Sequence, residues 1–114
     1  MIIEEALISD IKQLCELREL QKKEKGNTDL ENDNTADFLL NHLNTDLTIY
    51  VAKVKSKIVS ACGISIINKE KIKIGHIYNM FTVKEYRQKG IQIQLLQQCI
   101  NFAKTNNLVD IQLN

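Results

Sequence analysis

At 114 residues the chain has room for one small domain, and 44% hydrophobic with 25% charged residues is the balance of an ordinary globular protein. A net charge of +1 excludes a bulk electrostatic pull toward nucleic acid or an anionic membrane. No apolar run approaches membrane-spanning length and Met1 is not followed by a signal-peptide pattern, so a cytoplasmic protein is expected.

Ile2 to Leu7 reads as a short first strand, and Ser9-Asp10 after it offers an N-cap. Ile11, Leu14, Cys15 and Arg18 recur at helical spacing with Leu17 beside them, which predicts a helix from Ile11 to near Glu24. Gly26-Asn27-Thr28-Asp29 breaks it. The segment from Gly26 to Asn34 is polar and poor in apolar anchors, and is expected to be a mobile loop. Asn34 or Thr35 can cap a second short helix, Ala36 to Leu43, with Phe38, Leu39, Leu40 and Leu43 on its apolar side.

From Leu47 the hydrophobic period changes to two. Thr48 to Val54, Ile58 to Ile67 and Ile72 to Val83 read as three strands, separated by the turns Lys55-Ser56-Lys57 and Asn68-Lys69-Glu70-Lys71. Turns this short cannot make crossovers, so the three strands are expected to form an antiparallel meander. Lys53, Lys55, Lys57, Lys69, Lys71 and Lys73 give this meander a basic rim, but without interleaved aromatics for stacking on bases, so no nucleic-acid partner is expected.

After Gly90 the period returns to that of a helix. At about 100° per residue, Ile91, Ile93, Leu95, Leu96, Cys99, Ile100, Phe102 and Ala103 cover roughly half the circumference, the arc of a helix packed on a sheet. Asn106-Asn107 ends it, and Val109 to Leu113 reads as a final strand. Strand, helix and strand at this spacing predict a crossover, with the last strand parallel to the long one. The three cysteines, Cys15, Cys62 and Cys99, are widely spaced and read as buried free thiols of a reducing compartment. With only two histidines and scattered cysteines, no metal site is expected.

The richest segment is the junction Tyr78-Asn79-Met80-Phe81-Thr82-Val83 followed by Lys84-Glu85-Tyr86-Arg87-Gln88-Lys89-Gly90-Ile91. A β-prone run stops at a basic, glycine-containing turn and a helix starts at once. That arrangement aims unpaired N–H groups and the positive end of a helix dipole at an anion, and Gly90 lets the backbone come close.

Arg87-Gln88-Lys89-Gly90-Ile91-Gln92 resembles the acetyl-CoA signature of the GCN5-related N-acetyltransferases, Arg/Gln-x-x-Gly-x-Gly/Ala at a strand-to-helix turn. The resemblance runs from end to end of the chain and is specific in this segment. It implies an α/β (α+β) fold of the acyl-CoA N-acyltransferase kind, a mostly antiparallel mixed sheet flanked by helices in the order β-α-α-β-β-β-α-β. It implies further that a helix and two strands of the family fold are missing after Asn114, including a tyrosine that would protonate the leaving thiolate. The implied reaction is transfer of an acetyl group from acetyl-CoA to a primary amine by direct attack.

By the same resemblance the backbone of Met80, Phe81 and Thr82 pairs with the pantetheine arm of acetyl-CoA, and one N–H there polarises the thioester carbonyl. The backbone of Gln88, Lys89, Gly90, Ile91, Gln92 and Ile93 takes the pyrophosphate, with Arg87 and Lys89 adding positive charge. Without the resemblance, the same residues read as an ordinary strand and a solvated basic loop.

Gln92 departs from the pattern, standing where the family has Gly or Ala. Its angle falls inside the apolar arc. An outward bend, an amide donated to phosphate and a weakened site are all compatible with the sequence, and a Gln92→Gly change is expected to tighten cofactor binding. His76, upstream on the long strand, is a candidate base by chemistry alone, since the amine must lose a proton before it attacks. His42 has less claim, and Tyr86 is expected to pack.

Two function classes follow: an N-acetyltransferase, or a catalytically inactive CoA-binding or protein-interaction remnant of one. The amine acceptor is unreadable. An exposed final strand is also expected to invite a homodimer.

Overall fold

The computed structural model describes residues 1–26 and 35–113. Among them the changes of hydrophobic period become strands β1 (Ile2–Glu5), β2 (Leu47–Val54), β3 (Lys57–Lys69), β4 (Ile72–Thr82) and β5 (Asp110–Leu113). The helices are α1 (Ile11–Glu24), α2 (Thr35–His42) and α3 (Ile91–Thr105). The loop expected from Gly26 to Asn34, apart from Gly26 itself, lies outside the described residues.

The strands form one sheet in the order β1-β2-β3-β4-β5. Pairs β1–β2, β2–β3 and β3–β4 are antiparallel, and β4–β5 is parallel. The meander and the parallel last strand are as the turn lengths and the β4-α3-β5 crossover predict. Both faces of the sheet are covered. Leu47, Ile49 and Val51 point to α1 and α2, while Tyr50 and Ala52 of the same strand point to α3. Burial on both faces explains why β2 and the first half of β3 are nearly continuous apolar runs.

One boundary moves for an identifiable reason. The first strand stops at Glu5 rather than Leu7, because the chain turns into a short 3-10 segment at Ile8–Asp10. Asp10 holds that turn. It occupies the N-cap position of α1 but makes no side-chain cap there. Its carboxylate instead accepts from the Leu7 N–H at 2.8 Å and pairs with Lys53 Nζ at 2.8 Å. Lys53 also meets Glu4 at 2.9 Å, so one member of the basic rim is already neutralised.

The apolar arc of α3 is narrower than the sequence predicts. Ile91, Leu95, Cys99 and Ala103 are buried on the sheet, whereas Ile93 is 73% exposed. A spacing of four residues keeps one line of side chains on the sheet. Ile93 sits two residues from that line, on the outward side of the first turn.

Candidate functional site

The site begins where β4 stops pairing regularly. Ala61 faces Phe81 and Gly63 faces Tyr78, so two residues, Asn79 and Met80, stand opposite Cys62 alone. This is a β-bulge, which bends the strand and leaves a residue unpaired. On the other side, β5 pairs only with Ile74–Ile77. From Tyr78 to Thr82 the main chain therefore has β3 as its strand partner on one edge, and no described strand pairs with its opposite edge. Phe81 and Thr82, with Met80 beside them, lie on this one-sided stretch.

The chain then makes a 3-10 turn at Lys84–Tyr86 and enters α3 through two left-handed residues, Gln88 (φ 62°) and Gly90 (φ 75°). A Cβ on Gly90 would meet nothing within 4 Å, so glycine is needed there for its dihedral and not for space. The first helical N–H with a protein acceptor is that of Gln94, donated to the Gly90 carbonyl at 3.2 Å. Among the described residues, none accepts from the amides of Gln88 to Ile93, and no side chain caps the helix. The predicted run of free amides is brought together at the head of α3, with the helix dipole behind it.

The two cations are more constrained than the sequence predicts. Arg87 Nε donates to the Thr82 carbonyl at 2.8 Å, and its guanidinium lies 5.4 Å from the centre of the Phe81 ring. Its Nη2 is 2.5 Å from the Glu24 carboxylate at the end of α1. Lys89 Nζ sits 5.3 Å over the Tyr86 ring, which gives Tyr86 a packing role.

Gln92 turns inward. Its Nε2 donates to Thr82 Oγ1 at 2.7 Å and to Ser60 Oγ at 2.9 Å, and those hydroxyls are 2.7 Å apart. Ser60 Oγ also donates to the Phe81 carbonyl at 3.1 Å. The amide thus ties α3 to both β3 and β4. Its Oε1 is buried without a hydrogen-bond partner, a cost of about 1–3 kcal/mol that the other bonds must offset.

Three cavities border this junction among the described residues, and two of them hold Gln21 in common. The first, about 600 Å³, runs between the end of α1 and the head of α3, with Glu24, Lys25, Arg87, Gly90 and Gln92 in its walls. The second, about 300 Å³, is mostly apolar and lies among α1, α2 and the sheet, against Leu14, Leu39, Ile49 and Tyr78. Gln21 and Phe81 belong to both, so the two cavities meet there. Burial raises the Tyr78 hydroxyl pKa, partly offset by its hydrogen bond with Ser65.

His76 is not brought to the junction. It sits between Ser65 of β3 and Gln112 of β5, stacked edge-on against Tyr78 at 5.8 Å. It lines neither cavity, and its five-residue separation from Phe81 along the strand is roughly 17 Å. His42 bonds Asp46 at 2.9 Å on the surface. No cluster able to hold a metal occurs among the described residues. No described helix is long and apolar enough to cross a membrane.

Four contributors were not anticipated. Gln21, Glu24 and Lys25 form the α1 wall, and nothing in a helix-end sequence announces a tertiary partner. Ser60 had a faint signal, a hydroxyl inside the otherwise apolar run Ile58-Val59-Ser60-Ala61-Cys62.

Comparisons with known proteins match the chain and its fold. The family model described as the acetyltransferase (GNAT) family matches residues 11–114. A predicted acetyltransferase from Clostridium acetobutylicum, solved with acetyl-CoA, superposes with a TM-score of 0.90 at 25% identity, over 99% of this chain and 79% of that one. A GCN5-related N-acetyltransferase from Ralstonia eutropha JMP134 gives 0.86 at 20% identity, over 99% of this chain and 82% of the other. An aminoglycoside acetyltransferase from an uncultured soil metagenomic sample gives 0.83 at 16% identity, over 99% and 76%. Curated proteins give no sequence match. With the family model spanning residues 11–114, the chain belongs to the GNAT acetyltransferase family.

Proposed function

We propose that the chain binds acetyl-CoA and transfers its acetyl group to a primary amine by direct attack. The amides of Gln88 to Ile93 take the diphosphate, where hydrogen bonds to a charged group are about twice as strong as neutral ones. The pantetheine arm lies along the one-sided stretch of β4 ending at Thr82. The observation that carries this reading is the meeting of the two cavities at Gln21 and Phe81. A thioester delivered from the polar side reaches an amine held on the apolar side.

In the reaction the neutral amine nitrogen attacks the thioester carbonyl. A C–N bond forms, the C–S bond breaks, the amine loses a proton and the thiolate gains one. Main-chain N–H groups of β4 at the bulge stabilise the oxyanion that develops. We also place the protein in the cytoplasm, where its free thiols at Cys15, Cys62 and Cys99 stay reduced.

Calorimetric titration with acetyl-CoA, followed by an amine-dependent assay for free CoA thiol, tests the proposal. Binding with turnover is expected. A second reading, a CoA-binding remnant without turnover, is favoured by one feature: the Arg87 charge is already held by Glu24. Binding without release of thiol across a broad amine panel would select it. No binding at millimolar acetyl-CoA would remove both.

A further inference from the structure

The apolar cavity has a charge pattern that narrows the acceptor. Leu14, Leu17, Leu39, Ile49 and Phe81 give it aliphatic and aromatic walls. Among its described lining residues the charged side chain is Arg18, and no described carboxylate pairs with it. Arg18 Nη1 donates to Gln21 Oε1 at 2.9 Å. Gln21 is 9% exposed and belongs to both cavities. The guanidinium is therefore fixed beside the junction, with its remaining donors available for a planar anion.

Resting on the acetyl-transfer reading above, we propose that the acceptor is a small amino acid-like amine, with its carboxylate on Arg18 and an apolar side chain in the cavity. In an α-amino acid the amine and the carboxylate share one carbon. A carboxylate on Arg18 thus leaves the amine beside Gln21 and Phe81, where the thioester arrives. The apolar side chain continues inward between Leu14, Leu39 and Ile49. About 300 Å³ is at the small end of ligand cavities, which suits one side chain. A polycationic amine would face the Arg18 guanidinium, which repels it.

The test compares L-leucine with L-leucinamide, which keeps the amine and the side chain but lacks the anion and imitates a peptide N-terminus. Binding is measured on CoA-saturated protein by calorimetry, and KM and kcat in the thiol-release assay. The expected result is at least tenfold tighter binding and lower KM for leucine, with the ratio falling to within about twofold in Arg18→Met. Arg18→Met should keep its KM for leucinamide, with a somewhat lower melting temperature because the buried Gln21 amide oxygen loses its donor. Equal or tighter binding of leucinamide, or preference for a polycation such as spermidine, overturns the proposal. Acetyl-CoA binding with no response to either leucine compound overturns it while leaving the cofactor reading intact. Arg18-dependent leucine binding without acetyl-CoA binding supports the pocket assignment and defeats the acetyl-transfer reading instead.

Discussion

Gln92 Nε2 and Thr82 Oγ1 are 2.7 Å apart, so a side chain in the first turn of α3 is anchored on the last residue of β4. Where the family pattern has Gly or Ala, this chain uses a buried amide to hold the helix head against the strand end. Thr82→Val removes that acceptor and the partner of Ser60 in a nearly unchanged shape, and is expected to cost about 1–2 kcal/mol. Gln92→Ala costs less than the bonds it removes, because it also deletes the unpartnered Oε1. A double-mutant cycle by urea denaturation should give a coupling of about 0.5–1.5 kcal/mol between the two positions. Strict additivity would show that the contact carries no energy.

The same geometry bears on ligand binding. The Gln92 amide nitrogen is spent on protein hydroxyls, so a phosphate loses no donor when the side chain goes. Gln92→Gly should bind CoA a few-fold more tightly, since the wall of the polar cavity opens beside the free amides. Weaker binding in calorimetry would contradict this account of position 92.

Glu24 pairs with Arg87, one of the two cations beside the amides. Both partners are about 40% exposed, so the pair itself should contribute little to stability, under about 1 kcal/mol. Glu24→Gln is expected to leave the melting temperature nearly unchanged and to raise CoA affinity roughly 3–10-fold. The gain should shrink as ionic strength rises from about 0.01 to 1 M, because screening removes a charge effect at that range. A salt-independent gain would point to shape and not to charge.

Much of this fold can be read directly from the chain. The meander follows from period-two runs separated by turns too short for crossovers. The parallel β5 follows from the length of the helix between it and β4. The glycine turn into α3 is legible because Gly90 stands between a basic strand end and an apolar helix. The bulge leaves only a faint trace: the alternation through Tyr78 and Met80 changes phase at Phe81 and Val83, and the slip opposite Cys62 depends on how β3 and β4 pair. Ile93 misleads because it is apolar yet lies outside the four-residue line of buried positions. The α1 wall of the site, Gln21 and Glu24, is set by tertiary packing between elements more than sixty residues apart in sequence, as the contact of Glu24 with Arg87 illustrates.

Away from the site, Asp10 provides a pH signature. Burial pushes its carboxyl pKa up, but the Leu7 N–H and the Lys53 ammonium outweigh that and hold it below its ordinary 3.8. A carboxylate lowered on folding contributes stability above its unfolded value and loses it as pH falls through the folded one. Asp10→Ala should therefore cost about 1–3 kcal/mol near neutral pH, and the difference from wild type should close below the ordinary carboxylate value. A gap that persists unchanged to low pH in thermal melts would rule out the ionised contact as its cause.

The most direct test of the whole account is an amide-resolved nuclear magnetic resonance titration of the protein with CoA. The amides of Gln88 to Ile93 should show the largest, saturable shifts, with a second, smaller group from Tyr78 to Thr82. Saturable binding that leaves the amides at the head of α3 unmoved would contradict it.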